Sequence, residues 1–237
     1  MNKAEAVQDG VRIVTGPGTG FGQAYLVKGA FAPCYEVFPS EGGHVDFPAR
    51  SDEDWELVKF AYEYVEHSNN VENLRGKCKA TRMSIERVCA GPAVPMLYEF
   101  FKTKIPDSEM ERTLEIGDDA KTPDEITSFD IVNAAFRQES PDPLCRKVVE
   151  KFAEILAVEV GNHALKTLPY GGIFLIGGVT QGISQYILTD DRFMELFYQK
   201  GRLSDMMNRF PVFLVKPDVE LGLLGAEELA FRRQKVY

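Results

Sequence analysis

The segment Gly171-Gly172-Ile173-Phe174-Leu175-Ile176-Gly177-Gly178 constrains the fold of this 237-residue chain more than any other. Its four consecutive apolar residues do not alternate between an inner and an outer face, so the run reads as a strand buried on both sides, as in α/β sheets. Paired glycines at the carboxyl end of such a strand leave a flat shelf without side chains, at the edge where open α/β sheets bind ligands. A purine would fit there. Close packing of a helix on the strand would explain the same glycines.

Hydrophobic patterning supplies the other elements. Residues 11–15 and 23–28 read as strands on either side of the glycine-dense turn Gly16-Pro17-Gly18-Thr19-Gly20-Phe21-Gly22, and residues 34–38 as a third. Ser51 followed by Asp52, Glu53 and Asp54 suits a helix N-terminus, and the helix continues to residue 66 with Trp55, Val58, Phe60, Ala61, Tyr62 and Val65 on its apolar positions. Trp55 and Tyr62 are expected in the core or at its rim. Helices are expected over 84–90 and 94–103, separated at Gly91-Pro92, and longer ones over 123–137 and 143–168. A short strand at 212–215 and a helix at 221–233 follow, and the polar stretches 67–84 and 104–122 read as surface excursions.

Bulk properties exclude several classes of function. Hydrophobic residues make up 44% of the chain, enough for a substantial core. Net charge is -9, and apart from Arg75, Lys77, Lys79 and Arg82 the basic residues are scattered, so no stripe suits nucleic acid. The cysteines Cys34, Cys78, Cys89 and Cys145 lack metal-site spacing and are expected as free thiols in a reducing compartment. Residues 1–10 are polar and acidic, and no apolar run approaches a membrane span. Cytoplasm is the expected location.

Two segments carry chemistry. In Glu41-Gly42-Gly43-His44-Val45-Asp46-Phe47 a carboxylate and an imidazole flank two glycines. A carboxylate accepts from two neighbouring hydroxyls at once and an imidazole donates or accepts, so the pair suits a sugar ring, with glycines that allow close approach of the backbone. A surface loop with a structural histidine fits the same residues, and Asp46 reads as structural. The turn from Gly16 to Gly22 matches neither the dinucleotide nor the P-loop spacing and leads into a strand. It could present amides and the Thr19 hydroxyl to a phosphate, or simply close a hairpin. Glu86, in Ser84-Ile85-Glu86-Arg87-Val88-Cys89-Ala90-Gly91-Pro92, reads locally as an exposed helix acid with Arg82 four residues before it.

In their order and separations, these four segments resemble the large domain of bacterial-type glucokinases, ATP-dependent hexose kinases of the actin-like ATPase superfamily. The resemblance runs from residue 11 to about residue 234, with extra length in the 67–84 stretch. The cysteine cluster CxCG of the related zinc-bearing repressor and kinase family is absent. The resemblance implies a ribonuclease H/actin-like α/β domain with a mixed sheet flanked by helices. It places Gly18, Thr19 and Gly20 in the second phosphate-binding turn, Gly177 and Gly178 on the adenosine shelf, and Glu41, His44 and Glu86 on glucose hydroxyls. Glucose and ATP, with Mg²⁺ carried on the nucleotide, are the implied ligands, and O6 phosphorylation at the entry to glycolysis the implied activity; neither nucleic acid nor membrane is an expected partner.

Members of that family begin with a smaller domain that carries an Asp-x-Gly-Gly-Thr turn and an Asn-Asp pair whose aspartate is the general base. Neither motif occurs here. Residues 1–221 are therefore expected to be the large domain and 222–237 a helix that completes the small one, with no catalytic base and little turnover from this chain alone. Ala226, Leu229, Ala230 and Phe231 would then form a self-association patch, making a homo-oligomer possible. The alternative is an inactive short product that serves as a sugar- or nucleotide-binding or scaffold module.

Overall fold

The computed structural model describes residues 1–67, 82–106 and 126–234. Arg75, Lys77, Lys79 and Cys78, most of both polar stretches, and the first residues of the helix expected from Pro123 lie outside the described residues.

The sheet has five strands in the order β3-β2-β1-β4-β5. β1 (Arg12–Pro17) and β2 (Phe21–Val27) form an antiparallel hairpin in which Gly16 faces Gly22 and Pro17 faces Phe21, and β3 (Glu36–Ser40) continues the meander. β4 (Gly172–Leu175) joins β1 in parallel, and β5 (Val212–Leu214) joins β4 in parallel. The sheet is therefore mixed, with helices packed around it. Only one face of β4 is sealed. Ile173 and Leu175 are fully buried, whereas Phe174 is half-buried and stacks on Phe213 of β5 at 5.1 Å. The unbroken apolar run thus reflects an aromatic pair on the second face rather than equal burial on both.

The described helices are α1 (Asp52–His67), α2 (Ile85–Val88), α3 (Ala93–Lys102), α4 (Ser128–Ala135), α5 (Pro143–Thr167), α6 (Gly178–Gly182), α7 (Ser184–Thr189), α8 (Arg192–Tyr198), α9 (Ser204–Met207) and α10 (Leu221–Gln234). Their limits follow local chemistry. The Asp142 side chain accepts from the Cys145 N–H and Pro143 opens α5, which ends where Leu168 turns left-handed just before Pro169. Thr127 and Asp130 make a reciprocal capping box on α4. α5 is buried around most of its circumference, packing on α3, α4 and α8, and forms the centre of the core. Trp55 turns outward, 57% exposed, while Tyr62 is half-buried. Cys34, Cys89 and Cys145 are free thiols, the last two buried. Among the described residues, no helix is long and apolar enough to cross a membrane.

α10 presents an apolar surface to solvent. Leu223, Leu229 and Phe231 are 70%, 64% and 53% exposed, and Arg232 anchors the helix by donating to the Tyr35 carbonyl at 2.9 Å.

A buried ion pair joins α5 to α1. Lys151 Nζ donates to Asp54 Oδ1 at 2.6 Å and lies 3.0 Å from Glu53 Oε1, with Lys151 and Asp54 both buried. Burial pushes the Asp54 carboxyl up, but Lys151, the Arg50 N–H and Ser51 together bring it below its ordinary range. Removing one partner strands the other charge, so Lys151→Met should cost about 3 kcal/mol in urea unfolding, far more than its lost contacts.

Two to three turns further along α5, His163 Nε2 lies 3.3 Å from Glu159 Oε1, both side chains almost fully buried. Burial, with Lys166 adding to it, pushes His163 down to about 4. Between the unfolded value near 6.5 and about 4, the unfolded chain takes a proton that the folded chain refuses, so stability falls as pH falls through that window. Glu159 is shifted up, chiefly by burial, and acts in the opposite sense, losing stability as pH rises above the unfolded carboxylate range. His163→Gln isolates the histidine. Relative to wild type, the variant should gain up to about 3 kcal/mol between pH 7 and pH 4 in urea titrations.

Candidate functional site

The hairpin turn, the loop after β3, the start of α2 and the turn after β4 meet near the β1–β2 turn. An antiparallel bridge between Asp46 and Ser84 fixes the meeting, with Phe47 N–H donating to the Met83 carbonyl at 2.8 Å and Ile85 N–H to the Val45 carbonyl at 2.9 Å. This bridge delivers Glu86 to the loop that carries Glu41 and His44. His44 Nδ1 lies 3.9 Å from Glu86 Oε1, and Nε2 lies 3.7 Å from Glu41 Oε2. An imidazole thus stands between two carboxylates. Arg82 does not pair with Glu86 as its spacing suggested. Its guanidinium donates to the His44 carbonyl at 2.6 Å and to Asp46 Oδ1 at 2.8 Å, because the bridge sets those acceptors beside it.

Glu86 is not the exposed helix acid that local pattern suggested. Its side chain is 25% exposed, and Oε2 accepts the Phe21 N–H at 2.8 Å. The same oxygen would sit 2.7 Å from a Cβ at Gly20. The acid of one segment therefore rests directly on the turn of another. Gly91 N–H donates to the Gly18 carbonyl at 2.7 Å, and the Gly91 carbonyl accepts from the Ser128 hydroxyl at 2.7 Å, so the turn between α2 and α3, braced by α4, holds the hairpin turn from behind.

The turn and the shelf abut. Ile176 N–H donates to the Thr15 carbonyl at 2.9 Å, continuing the β1–β4 ladder. A Cβ on Gly16 would fall on the Ile176 carbonyl oxygen, and one on Gly177 on the Pro17 carbonyl oxygen. Gly177 also has φ of 97°, which favours glycine. By contrast, a Cβ on Gly18 or on Gly178 would meet no atom within 4 Å. The Gly18 amide is drawn inward to the Gly20 carbonyl at 2.7 Å. That leaves the exposed Thr19 hydroxyl, and the amides of Thr19 and Gly20, for which the described residues supply no acceptor, as groups able to meet a phosphate.

The glucokinase family model matches residues 1–233. The chain belongs to the glucokinase family. It is 34% identical over 227 residues to a glucokinase of Nostoc punctiforme and 33% identical over 230 residues to one of Synechocystis, matches that cover 92% and 95% of this chain. It spans about 60% of the length of either relative. Among solved structures it resembles a glucokinase from an Antarctic psychrotroph, with a TM-score of 0.68 at 29% identity over 92% of this chain and 57% of that one. A ROK-family glucokinase of Streptomyces griseus, solved with glucose and AMPPNP, shares the fold alone, with a TM-score of 0.56 at 16% identity over 94% of this chain and 61% of that one.

 

Within this glucokinase-family chain, the residues singled out from sequence fall into two adjoining groups. Glu41, His44 and Glu86 form one, and Gly18, Thr19, Gly20, Gly177 and Gly178 the other, with the Glu86–Gly20 contact joining them. The glycines also meet packing demands within the chain itself. Gly42 and Gly43 pack against Gln23 and Phe21 of β2, so the backbone they bring close is the sheet's own. Gly177 serves tight packing, and Gly178 is the open member of the shelf. Sequence reasoning missed Gln23 and the anchoring role of Arg82. Gln23 was detectable as a polar residue on the inward face of β2, in step with Phe21 and Tyr25.

These contacts separate two kinds of glycine experimentally. Gly16→Ala drives a methyl group into a backbone carbonyl and should cost more than about 3 kcal/mol in urea unfolding, whereas Gly18→Ala should stay within about 1 kcal/mol.

Proposed function

We propose that the protein phosphorylates glucose at O6 with ATP. The observation that carries this reading is the contact of Glu86 with Gly20 and the Phe21 amide, which sets a carboxylate suited to sugar hydroxyls against a turn suited to phosphate. Glu41, His44 and Glu86 would hold ring hydroxyls, and their clustering supports that role. Thr19 with the amides of Thr19 and Gly20 would meet the nucleotide's phosphates, and Gly178, open above, would underlie the adenosine. In the reaction the sugar O6 forms a bond to the γ-phosphorus, the bond to the β-γ bridging oxygen breaks, ADP leaves, and the hydroxyl proton passes to a base. No residue of this chain is assigned as that base. Mg²⁺ would arrive on the nucleotide and neutralise charge on its phosphates.

By the family resemblance, residues 1–221 would form the large domain of the enzyme and the helix that follows would pack on a smaller one. The exposed apolar residues of α10 fit that arrangement.

The test is glucose-dependent ADP release by the intact protein. Glu41→Ala and Glu86→Gln should raise the glucose KM by roughly 10- to 100-fold and change the ATP KM little, since each removes a charged acceptor. Glutamine is the better substitution at 86 because it retains an oxygen for the Phe21 amide. Thr19→Ala and Gly178→Val should show the reverse selectivity. Unchanged glucose kinetics in Glu86→Gln would return Glu86 to a purely structural role.

A further inference from the structure

The two glycines of the Glu41–His44 loop are required for different reasons. A Cβ on Gly43 would strike the Phe21 carbonyl oxygen, which is backbone. For Gly42, the three nearest atoms to such a Cβ all belong to the Gln23 side-chain amide, and its backbone is not in the positive-φ region. The nearest obstacle to a larger residue at 42 is therefore a single side chain, held in place by its burial.

Gln23 is itself unusual. It is 6% exposed, and neither amide atom meets a partner with good hydrogen-bond distance and angle among the described residues, although the amide lies close enough to Glu159 to favour its charged form. A buried amide without a well-formed hydrogen bond is costly, and an apolar residue would fill the place more cheaply. Behind it lies a connected polar chain that runs from α5 to Lys200, just after α8. Asn162 donates to Glu159 Oε2 at 3.2 Å, and Lys200 Nζ donates to Asn162 Oδ1 at 2.8 Å and to the Val158 carbonyl at 3.0 Å. Burial pushes the Glu159 carboxyl up, and Asn162, Lys166, Lys200 and the Gln23 amide each oppose that push, which places the amide beside Glu159. Gln23 thus stands between a fixed polar support on the core helix and Gly42.

We propose that Gln23 is a positioning residue for the sugar loop: its amide is the stop against which Gly42 seats, and it sets where Glu41 and His44 stand relative to Glu86. The kinetic consequence rests on the glucose-kinase reading; the mechanical one does not.

The experiment compares Gln23→Ala, Gly42→Ala, Gly43→Ala and the double variant Gln23→Ala/Gly42→Ala in the intact protein. Because a methyl on Gly42 occupies the place of the amide, Gly42→Ala should raise the glucose KM at least tenfold and the ATP KM less than about twofold, and the double variant should recover most of the loss. Gly43→Ala should not be rescued by Gln23→Ala, since backbone is in its way. Amide hydrogen exchange gives a readout that needs no substrate. His44 and Val45 N–H donate to the Glu41 and Gly42 carbonyls, and in Gln23→Ala both should exchange about tenfold faster. Unchanged exchange at these amides, or a Gly42→Ala defect no smaller in the double variant, overturns the proposal. If no form of the protein releases ADP in response to glucose, the kinase reading fails, and the exchange comparison still decides the role of Gln23.

Discussion

The Glu86 carboxylate is the fixed point of the site. One of its oxygens accepts the Phe21 amide and lies against Gly20, and the other faces the His44 imidazole. A charged acceptor that takes a backbone N–H is held more firmly than one that only meets solvent, because charge-assisted bonds are stronger than neutral ones. The same bond fixes the hairpin turn at its first β2 residue. Two groups of candidate residues that are far apart in sequence therefore share one contact. Displacing Glu86 would disturb the turn proposed for phosphate as well as the acids proposed for sugar, which is why a glutamine at this position separates the two effects better than an alanine.

Support for that contact comes from sequence-distant pieces of the core. The Asp46–Ser84 bridge aligns the loop with α2, and Gly91 clamps the turn through the Gly18 carbonyl. The β1–β4 ladder then carries Gly177 against Pro17. Every one of these supports is backbone to backbone, or backbone to a glycine that admits it. Side-chain variation on the surface would leave them intact.

Much of the fold was legible because it depends on local pattern. The apolar run at 173–176, the glycine turn and the acidic start of α1 each mark an element by periodicity or capping, and the structure shows those elements with ends shifted by one or two residues. The short helices between residues 178 and 207 were not anticipated, since pieces of four to seven residues carry too little periodicity to register. Glu86 looked like a surface acid because its partner, the Phe21 amide, is 65 residues away. Arg82 misled for the same reason: spacing along a helix suggested Glu86, and a cross-chain bridge supplied Asp46 and the His44 carbonyl instead. Gln23 carried a signal in its inward phase, but nothing in the sequence could show that its amide meets Gly42.

Exposure divides the site into a supporting and a receiving side. The Glu41 side chain is 90% exposed and Thr19 and Gly178 are exposed, while Gln23, Glu159, His163 and Ser84 behind them are buried. Phosphoryl transfer to a sugar hydroxyl competes with transfer to water, so a kinase must cover its ligands during the reaction. A surface whose receiving groups are open and whose supports are buried is suited to act as the rigid floor of such a site. On the proposed function its contribution would be to hold the sugar and the phosphates at a fixed separation, which the Glu86–Gly20 contact would set.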